Sequence, residues 1–417
     1  MKLIFICIFL IIIPFSLISQ EADSSIAKYR KDALKVFLDC PSCDEDYIRR
    51  EISFVNYVRD RKEADVHIMI TSQHTGSGGN EYVMHFLGQN GYTRLSDTLV
   101  YVSITDYTED ETRSGQVETM KMGLMPFVSK TPLSKFIKIN YNPPVKEEVV
   151  EDKWSQWVFS AELNGELDGE KSTKSYEFGG RISAGKVTPE WKLDFDLEYE
   201  VEKDEFDTGD KLITSTQQSK SFEGLIVKSL NDHWSAGGRF DFGSSTYRNY
   251  KFRGMFGPGI EYDIYPYSES TRKQVRILYS VDYSYNNYQD TTIYNKTEES
   301  LFGHSLNIAM EFTQKWGSIY GDISWSNYFY DWSKNNLSLF ISLNFRIAKG
   351  LEIEFGGGGS LIHDQLSLVK SGASMEEILL ERLELETSYS YFTRFSISYT
   401  FGSIYNNVVN PRFGGGN

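Results

Sequence analysis

The sequence predicts a mainly β protein: a transmembrane antiparallel β-barrel of about twelve strands, preceded by a small α+β domain. Three observations carry this. From Trp154 onward, segment after segment alternates apolar and polar residues with a period of two, the signature of strands with unlike faces. One face of each segment is rich in Phe, Tyr, Trp and β-branched residues and the other carries full charges, so one meets an apolar environment and the other water. Short turns and longer polar loops alternate between the segments, as in barrels that cross an outer membrane.

The hairpin from Phe256 to Tyr285 shows the pattern most clearly. Before the turn Pro266-Tyr-Ser-Glu-Ser270, Ile260, Tyr262 and Ile264 alternate with Glu261 and Asp263; after it, Val275, Ile277, Tyr279, Val281 and Tyr283 alternate with Gln274, Arg276, Ser280 and Asp282.

Taken in order, the chain opens with Lys2, an apolar run from Leu3 to Leu17 and a small residue near its end, which reads as a secretory signal over 1–19. The run is about 15 residues where a spanning helix needs about 20, and no later stretch is apolar enough to span as a helix. Cys7 lies inside the run, so a lipid-anchored mature terminus is not expected.

Residues 20–131 read as the first domain. Ala33 to Asp39 predicts a strand, and Asp44 caps a helix with the stripe Tyr47, Ile48, Ile52, Val55 and Val58. Strands follow at Val66 to Thr71, Tyr82 to Leu87 and Thr98 to Ile104, then a helix from Glu109 to Ser129, capped by Thr108 or Asp106, which buries Val117, Met120, Leu124 and Val128. The order is β-α-β-β-β-α, a two-layer sandwich. Cys40 and Cys43 flank Pro-Ser at the helix start. Such a pair lowers a thiol pKa in oxidoreductases, but this domain does not alternate strand and helix as that fold does. In an exported chain the expected state is a structural disulfide between Cys40 and Cys43. The glycine loop Thr75 to Gly79 lacks the Lys-Ser/Thr of a phosphate loop and reads as a hairpin turn. Pro132, Pro143, Pro144 and the charged run Lys146 to Lys153 mark a linker over 132–153; the barrel takes 154–402 and a polar tail 403–417.

Within the barrel, Trp191, Trp234 and Trp316 follow short turns, where an interfacial aromatic belt lies. The opposite phase of the strands points Glu162, Glu177, Arg181, Asp194, Asp196, Glu198, Arg239, Asp241, Arg253, Glu261, Asp263, Arg276, Asp282, Arg346, Glu352 and Arg394 into the lumen, together with Glu200, Glu223, Lys251, Glu311, Asp322 and Glu354. Acids outnumber bases roughly two to one, which leaves two readings open: a hydrated, cation-preferring pore, or a closed lumen filled by ion-pair networks. Long inward side chains in a barrel this narrow favour the closed one. Pro258 suggests a bulge, and Gly356 to Gly359 a bend or a close approach inside the barrel. Ser374-Met-Glu-Glu377 is a capping box that opens a helix in the long loop 365–387. The last strand, Tyr391 to Phe401, has to pair with the first so that no edge lies in lipid.

A barrel hydrolase needs Ser, His and an orienting group converging at one rim. His67, His74 and His85 fall in the first domain and His233 at a short turn. Ser305 follows His304 on the opposite face, and His363 has Asp364 but no neighbouring Ser. No catalytic, cofactor or metal site is therefore expected. The net charge of −15 argues against nucleic acid as a partner.

Asp39-Cys-Pro-Ser-Cys-Asp-Glu-Asp-Tyr-Ile-Arg-Arg-Glu51, Tyr57-Val-Arg-Asp60, Gly257-Pro-Gly-Ile-Glu-Tyr262 with Pro266-Tyr-Ser-Glu-Ser270, and Ser398-Tyr-Thr-Phe-Gly-Ser403 with Asn406-Asn-Val-Val-Asn-Pro-Arg412 resemble an uncharacterised family of Gram-negative outer-membrane β-barrel proteins with an N-terminal periplasmic domain. Ala64-Asp-Val-His-Ile-Met-Ile70 and the glycine turn after it are loosely similar to the N-terminal domain of Tol-system periplasmic proteins. The resemblance implies topology and location: the cell outer membrane, with the first domain in the periplasm. The expected role is a non-enzymatic, membrane-anchored scaffold or binding protein without a cofactor; a cation-preferring passive channel is the alternative, and a barrel hydrolase the second. Expected partners are outer-membrane lipid, the insertion machinery during assembly, and a periplasmic protein meeting 20–131.

Overall fold

The structure, a computed structural model, describes residues 32–140 except 77, 152–370 except 208 and 210, and 384–402. The expected signal, the charged part of the linker, the helix opened by Ser374 and the tail lie outside these residues.

The first domain is built on a five-stranded sheet of order β2-β1-β3-β4-β5, with β1 (Lys35–Asp39), β2 (Asn56–Tyr57), β3 (Val66–His74), β4 (Asn80–Gly88) and β5 (Ser96–Ser103). Strands β2, β1 and β3 run parallel and the rest antiparallel. Helix α1 (Glu45–Glu51) starts where Asp44 accepts a hydrogen bond from the Tyr47 amide at 2.9 Å, with acids in its first turn and arginines in its last. The helix is shorter than the apolar stripe suggests. The chain leaves it at Ile52, and Val55 and Val58 are buried beside β2, one strand more than periodicity predicts.

Helix α2 (Glu109–Val128) begins with a capping box between Thr108 and Glu111. It lies so close on the sheet that a Cβ on Gly123 would sit 2.1 Å from the Phe86 ring. The resulting core holds Val36, Leu38, Ile68, Met84, Phe86, Met120, Leu124 and Phe127. Alternation turns His67, Met69, Thr71 and His85 to the other side of the sheet, away from α2, yet all four are buried.

What buries them is the second unit. Its strands are β6 (Trp157–Gly169), β7 (Thr173–Val187), β8 (Trp191–Asp207), β9 (Leu212–Ser229), β10 (Trp234–Ser245), β11 (Tyr250–Asp263), β12 (Lys273–Tyr288), β13 (Glu298–Gln314), β14 (Gly317–Tyr328), β15 (Asp331–Ala348), β16 (Leu351–Ile362) and β17 (Tyr389–Tyr399). They form one twelve-stranded sheet in sequence order, each antiparallel to the next. Strands β8 and β9 continue well into the polar stretch from Lys203 to Ser219, pairing out to Asp207 and Leu212. Both faces are polar there, so hydrophobic alternation is silent while the backbone ladder continues.

The sheet curls into a barrel. The first domain touches one rim at strands as far apart as β7 and β15, and loops from β10–β11, β12–β13 and β16–β17 meet at the other. Two expectations are corrected in detail. Among the described residues β6 and β17 each pair on one side only, so the expected closing ladder is not present. Pro258 produces no bulge: the β11–β12 register is unchanged from Phe256 to Gly259 and only the rungs between are missing, as a residue without an N–H requires. Gly358 does admit a close approach, since a Cβ there would lie 3.0 Å from the Phe392 ring and 3.5 Å from that of Phe340.

The outward face carries exposed Phe, Tyr, Leu and Ile from Phe159 to Phe401. Tryptophans just before and within β14 mark its two margins: Trp316 stacks on Phe345 at 5.6 Å, and Trp325 meets Trp332 at 6.1 Å. The nine-residue step from Trp316 to Trp325 is about 31 Å along a strand, or about 23 Å along the barrel axis at a tilt of about 40°.

Candidate functional site

The first domain sits on the rim made by the short turns, and an ion pair holds it there. Arg346, on the inner face of β15, directs both terminal nitrogens at Asp39, the last residue of β1, with Nη2 2.6 Å from Oδ1. Its Nε donates to Glu352 at 3.0 Å, and its guanidinium lies over the Phe37 ring at 5.5 Å. Asp39 Oδ2 also meets His67 Nε2 at 3.0 Å. Burial alone would raise the Asp39 pKa, but hydrogen bonds from His67 and Arg346, and then their charges, hold it down at about 2. Burial lowers the pKa of His67, outweighing the attraction of Asp39. The neutral ring donates through Nε2, and Nδ1 has no hydrogen-bond partner among the described residues. Among the described residues no hydroxyl is bonded to His67, so within them the Asp–His pair does not extend to a nucleophile.

Around this pair the contact spreads along the rim. Lys349 pairs with Glu63, the Gly350 amide donates to Asp60 Oδ2 at 3.1 Å, and Arg61 donates to the Lys315 carbonyl. Arg59 donates to the carbonyls of Phe401 and Gly402, each at 3.2 Å. At the other side of the mouth a Cβ on Gly76 would lie 2.2 Å from Val187 Cβ, so the β3–β4 turn rests directly on the end of β7. Burial, and then the charge of Arg272 before β12, lower His85 to about 4. Cavities are left in the junction. One of about 320 Å³ lies between Asp39, Asp60 and Arg346, and another of about 340 Å³ between β3 and Glu311, Asn344 and Arg346. Cys40 and Cys43 are joined by a disulfide in the turn just after Asp39, with Cα atoms 5.5 Å apart.

The ladders place all sixteen of the charges Glu162, Glu177, Arg181, Asp194, Asp196, Glu198, Arg239, Asp241, Arg253, Glu261, Asp263, Arg276, Asp282, Arg346, Glu352 and Arg394 on the face opposite the exposed aromatics. Some are brought together: Arg181 with Asp196 at 2.6 Å, Arg276 with Glu261 at 3.8 Å, and Arg346 with Glu352. Arg239, Arg253 and Arg394 have no ion-pair partner among the described residues. The acids are concentrated on β6 to β8, where Glu166, Glu177 and Glu202 stand directly opposite one another.

At the far rim, Asn249 has φ +60°, a conformation Asn tolerates better than most residues. Its Nδ2 donates to the carbonyls of Asp290 at 3.0 Å and Ser367 at 2.8 Å, and its Oδ1 accepts from the Asp290 amide at 2.8 Å. One side chain thereby ties three loops together. His304 and His363 do not converge: His304 points outward, hydrogen-bonded to Tyr279 and Asn327, while Ser305 bonds Ser280 on the inner face.

Sequence reasoning missed Asp39 and His67 as site residues. The signal was the run Val66 to Thr71, which is buried at every position and so covered on both faces.

Residues 167–391, over half of the chain, match the family model described as "Protein of unknown function, DUF481". The chain matches none of the curated proteins. Among solved structures, the NanC porin in a rhombohedral crystal form is similar over 58% of this chain and 99% of its own, at 9% identity and a TM-score of 0.27. The translocator domain of the autotransporter NalP from Neisseria meningitidis is similar over 59% of this chain and 82% of its own, at 9% identity and a TM-score of 0.19.

Proposed function

The chain belongs to the DUF481 family, and we propose that it is a non-enzymatic outer-membrane barrel that anchors a scaffold, with its own first domain seated as a stopper in the periplasmic mouth. The observation that carries this reading is the bidentate contact of Arg346 with Asp39. A conducting mouth would leave Arg346 to water; here a whole sheet face, His67, Met69, Thr71 and His85, is buried over it. The exposed apolar face between two tryptophan margins about 23 Å apart supports placement in a bilayer, whose barrel proteins carry an apolar band about 25 Å tall. Short turns face the periplasm in such barrels, and the domain shares their rim. The α2 side of the domain, turned away from the barrel, is the surface a periplasmic protein would meet. The partners during and after assembly are then the insertion machinery and outer-membrane lipid.

A cation-preferring channel is the second reading, favoured by the acidic inner wall of β6 to β8. Planar-bilayer conductance separates the two. The stopper reading expects no steady current from the intact chain and cation-selective steps once Asp39→Ala and Arg346→Ala are combined. Stable current from the intact chain would overturn it.

A further inference from the structure

The far rim holds a cavity of about 820 Å³, within the usual range of small-molecule sites, lined by strands β11, β14 and β15 and by residues 364–367 and 384–387 between β16 and β17. Its chemistry is sorted by position. Arg253 reaches it from the inner face of β11 and lies over the Tyr250 ring at 5.6 Å, and Arg248 stands at its mouth; neither has an ion-pair partner among the described residues. The two acids that line it are held by neutral amides instead: Asn336 Nδ2 donates to Asp364 Oδ1 at 3.1 Å, and Gln365 Nε2 to Glu384 Oε1 at 2.8 Å. Each carboxylate therefore keeps free acceptor positions. Tyr250 and Tyr328 line it between the two sets, with the Tyr250 ring stacked on Tyr288 at 5.6 Å.

The described loop residues are tied to one another. Asn249 fixes the three loops from one point, Ile293 N–H donates to the Leu368 carbonyl at 2.8 Å, and Lys370 N–H donates to the Thr291 carbonyl at 2.9 Å. Leu366 and Leu368 are buried beneath.

We propose that this cavity binds a small polyhydroxylated organic anion, its charged group on Arg253 and Arg248 and its hydroxyls on Asp364 and Glu384. Guanidinium is the side chain best matched to a carboxylate or phosphate, and carboxylates with spare lone pairs accept from hydroxyls. The site lies at the end of the barrel opposite the domain, so it stands or falls independently of the stopper reading.

The test is equilibrium dialysis of the detergent-solubilised full chain against D-glucuronate, glucose 6-phosphate, D-glucose and inorganic phosphate. The proposal expects at least one sugar anion to bind, with glucose and inorganic phosphate each at least 10-fold weaker. Tighter binding of glucuronate identifies a carboxylate ligand, and of glucose 6-phosphate a phosphate ester. Arg253→Gln should weaken the sugar anion at least 10-fold, whereas Arg276→Gln, on the same face near the domain, should not. If Arg253→Gln fails to give the folded band on a heat-modifiability gel, Arg248→Gln takes its place. The proposal is overturned if neither sugar anion binds, if glucose or inorganic phosphate binds as tightly as the sugar anion, or if the arginine variant binds unchanged.

Discussion

Replacing Arg346 by Ala removes two hydrogen bonds and one charge from Asp39 without touching the domain itself. The size of the effect follows from the carboxyl. Lowering its pKa from 3.8 to about 2 corresponds to about 2.4 kcal/mol of preferential stabilisation of the charged form. His67 supplies part of that, so the share of Arg346 is about 1–2 kcal/mol, or a roughly 5- to 30-fold weaker hold of the domain on the rim. Because the folded pKa is depressed, this contribution is fully present above about pH 4 and is lost as the pH falls toward 2. The variant should therefore loosen at neutral pH, where the parent does not. Hydrogen–deuterium exchange in micelles reads this directly: amides of 35–39 and 66–74 should exchange faster, while those of 109–128, on the far side of the sheet, should not. Unchanged exchange at 35–39 and 66–74 would refute the claim that this pair holds the domain.

Further expectations follow from other contacts. Gly76→Val, whose side chain would meet Val187, should free the β3–β4 turn from the rim, seen as faster exchange at 72–80 with the thermal stability of the domain unchanged. Asn249→Ala removes three hydrogen bonds, each worth about 0.5–1.5 kcal/mol, and should expose 363–370 to added protease on intact cells. Phe395→Arg, at the centre of an exposed strand face, should cost about 2–4 kcal/mol in the bilayer and abolish the folded band on a heat-modifiability gel. Unpaired edges in lipid cost several kcal/mol per backbone group, so β6 and β17 should join in the membrane. With Trp157 opposite Tyr399, Arg394 meets Glu162, and cysteines at Ser160 and Ser396 should cross-link; absence of the cross-link in membranes would exclude that register.

The twelve strands were legible because each has one apolar and one charged face, a pattern that survives without knowledge of any partner. It failed where both faces are polar, as from Lys203 to Asp207, and where an element is too short to show a period, as at Asn56–Tyr57. The same phase that placed Arg346 on the inner face could not reveal its partner. Asp39 lies 307 residues away and looks like any acid at a strand end. Its role depends on which rim the domain covers, a property of the assembled barrel and not of either segment. The acids and arginines of the far-rim cavity were legible only as scattered charges, because three separate stretches of chain supply them.

The seat of the first domain also has a consequence in time. The domain leaves the ribosome before any barrel strand, but Arg59 reaches the carbonyl of Phe401, 342 residues later. Closing so long a loop adds little to the equilibrium cost, since each doubling of length costs only about 0.6 kcal/mol. It does fix the order of events, because the seat does not exist until β15, β16 and the end of β17 have been laid down. Until then the face bearing His67, Met69 and Thr71 stays open, and docking becomes the final step of biogenesis, completed only by a chain whose last strand has arrived.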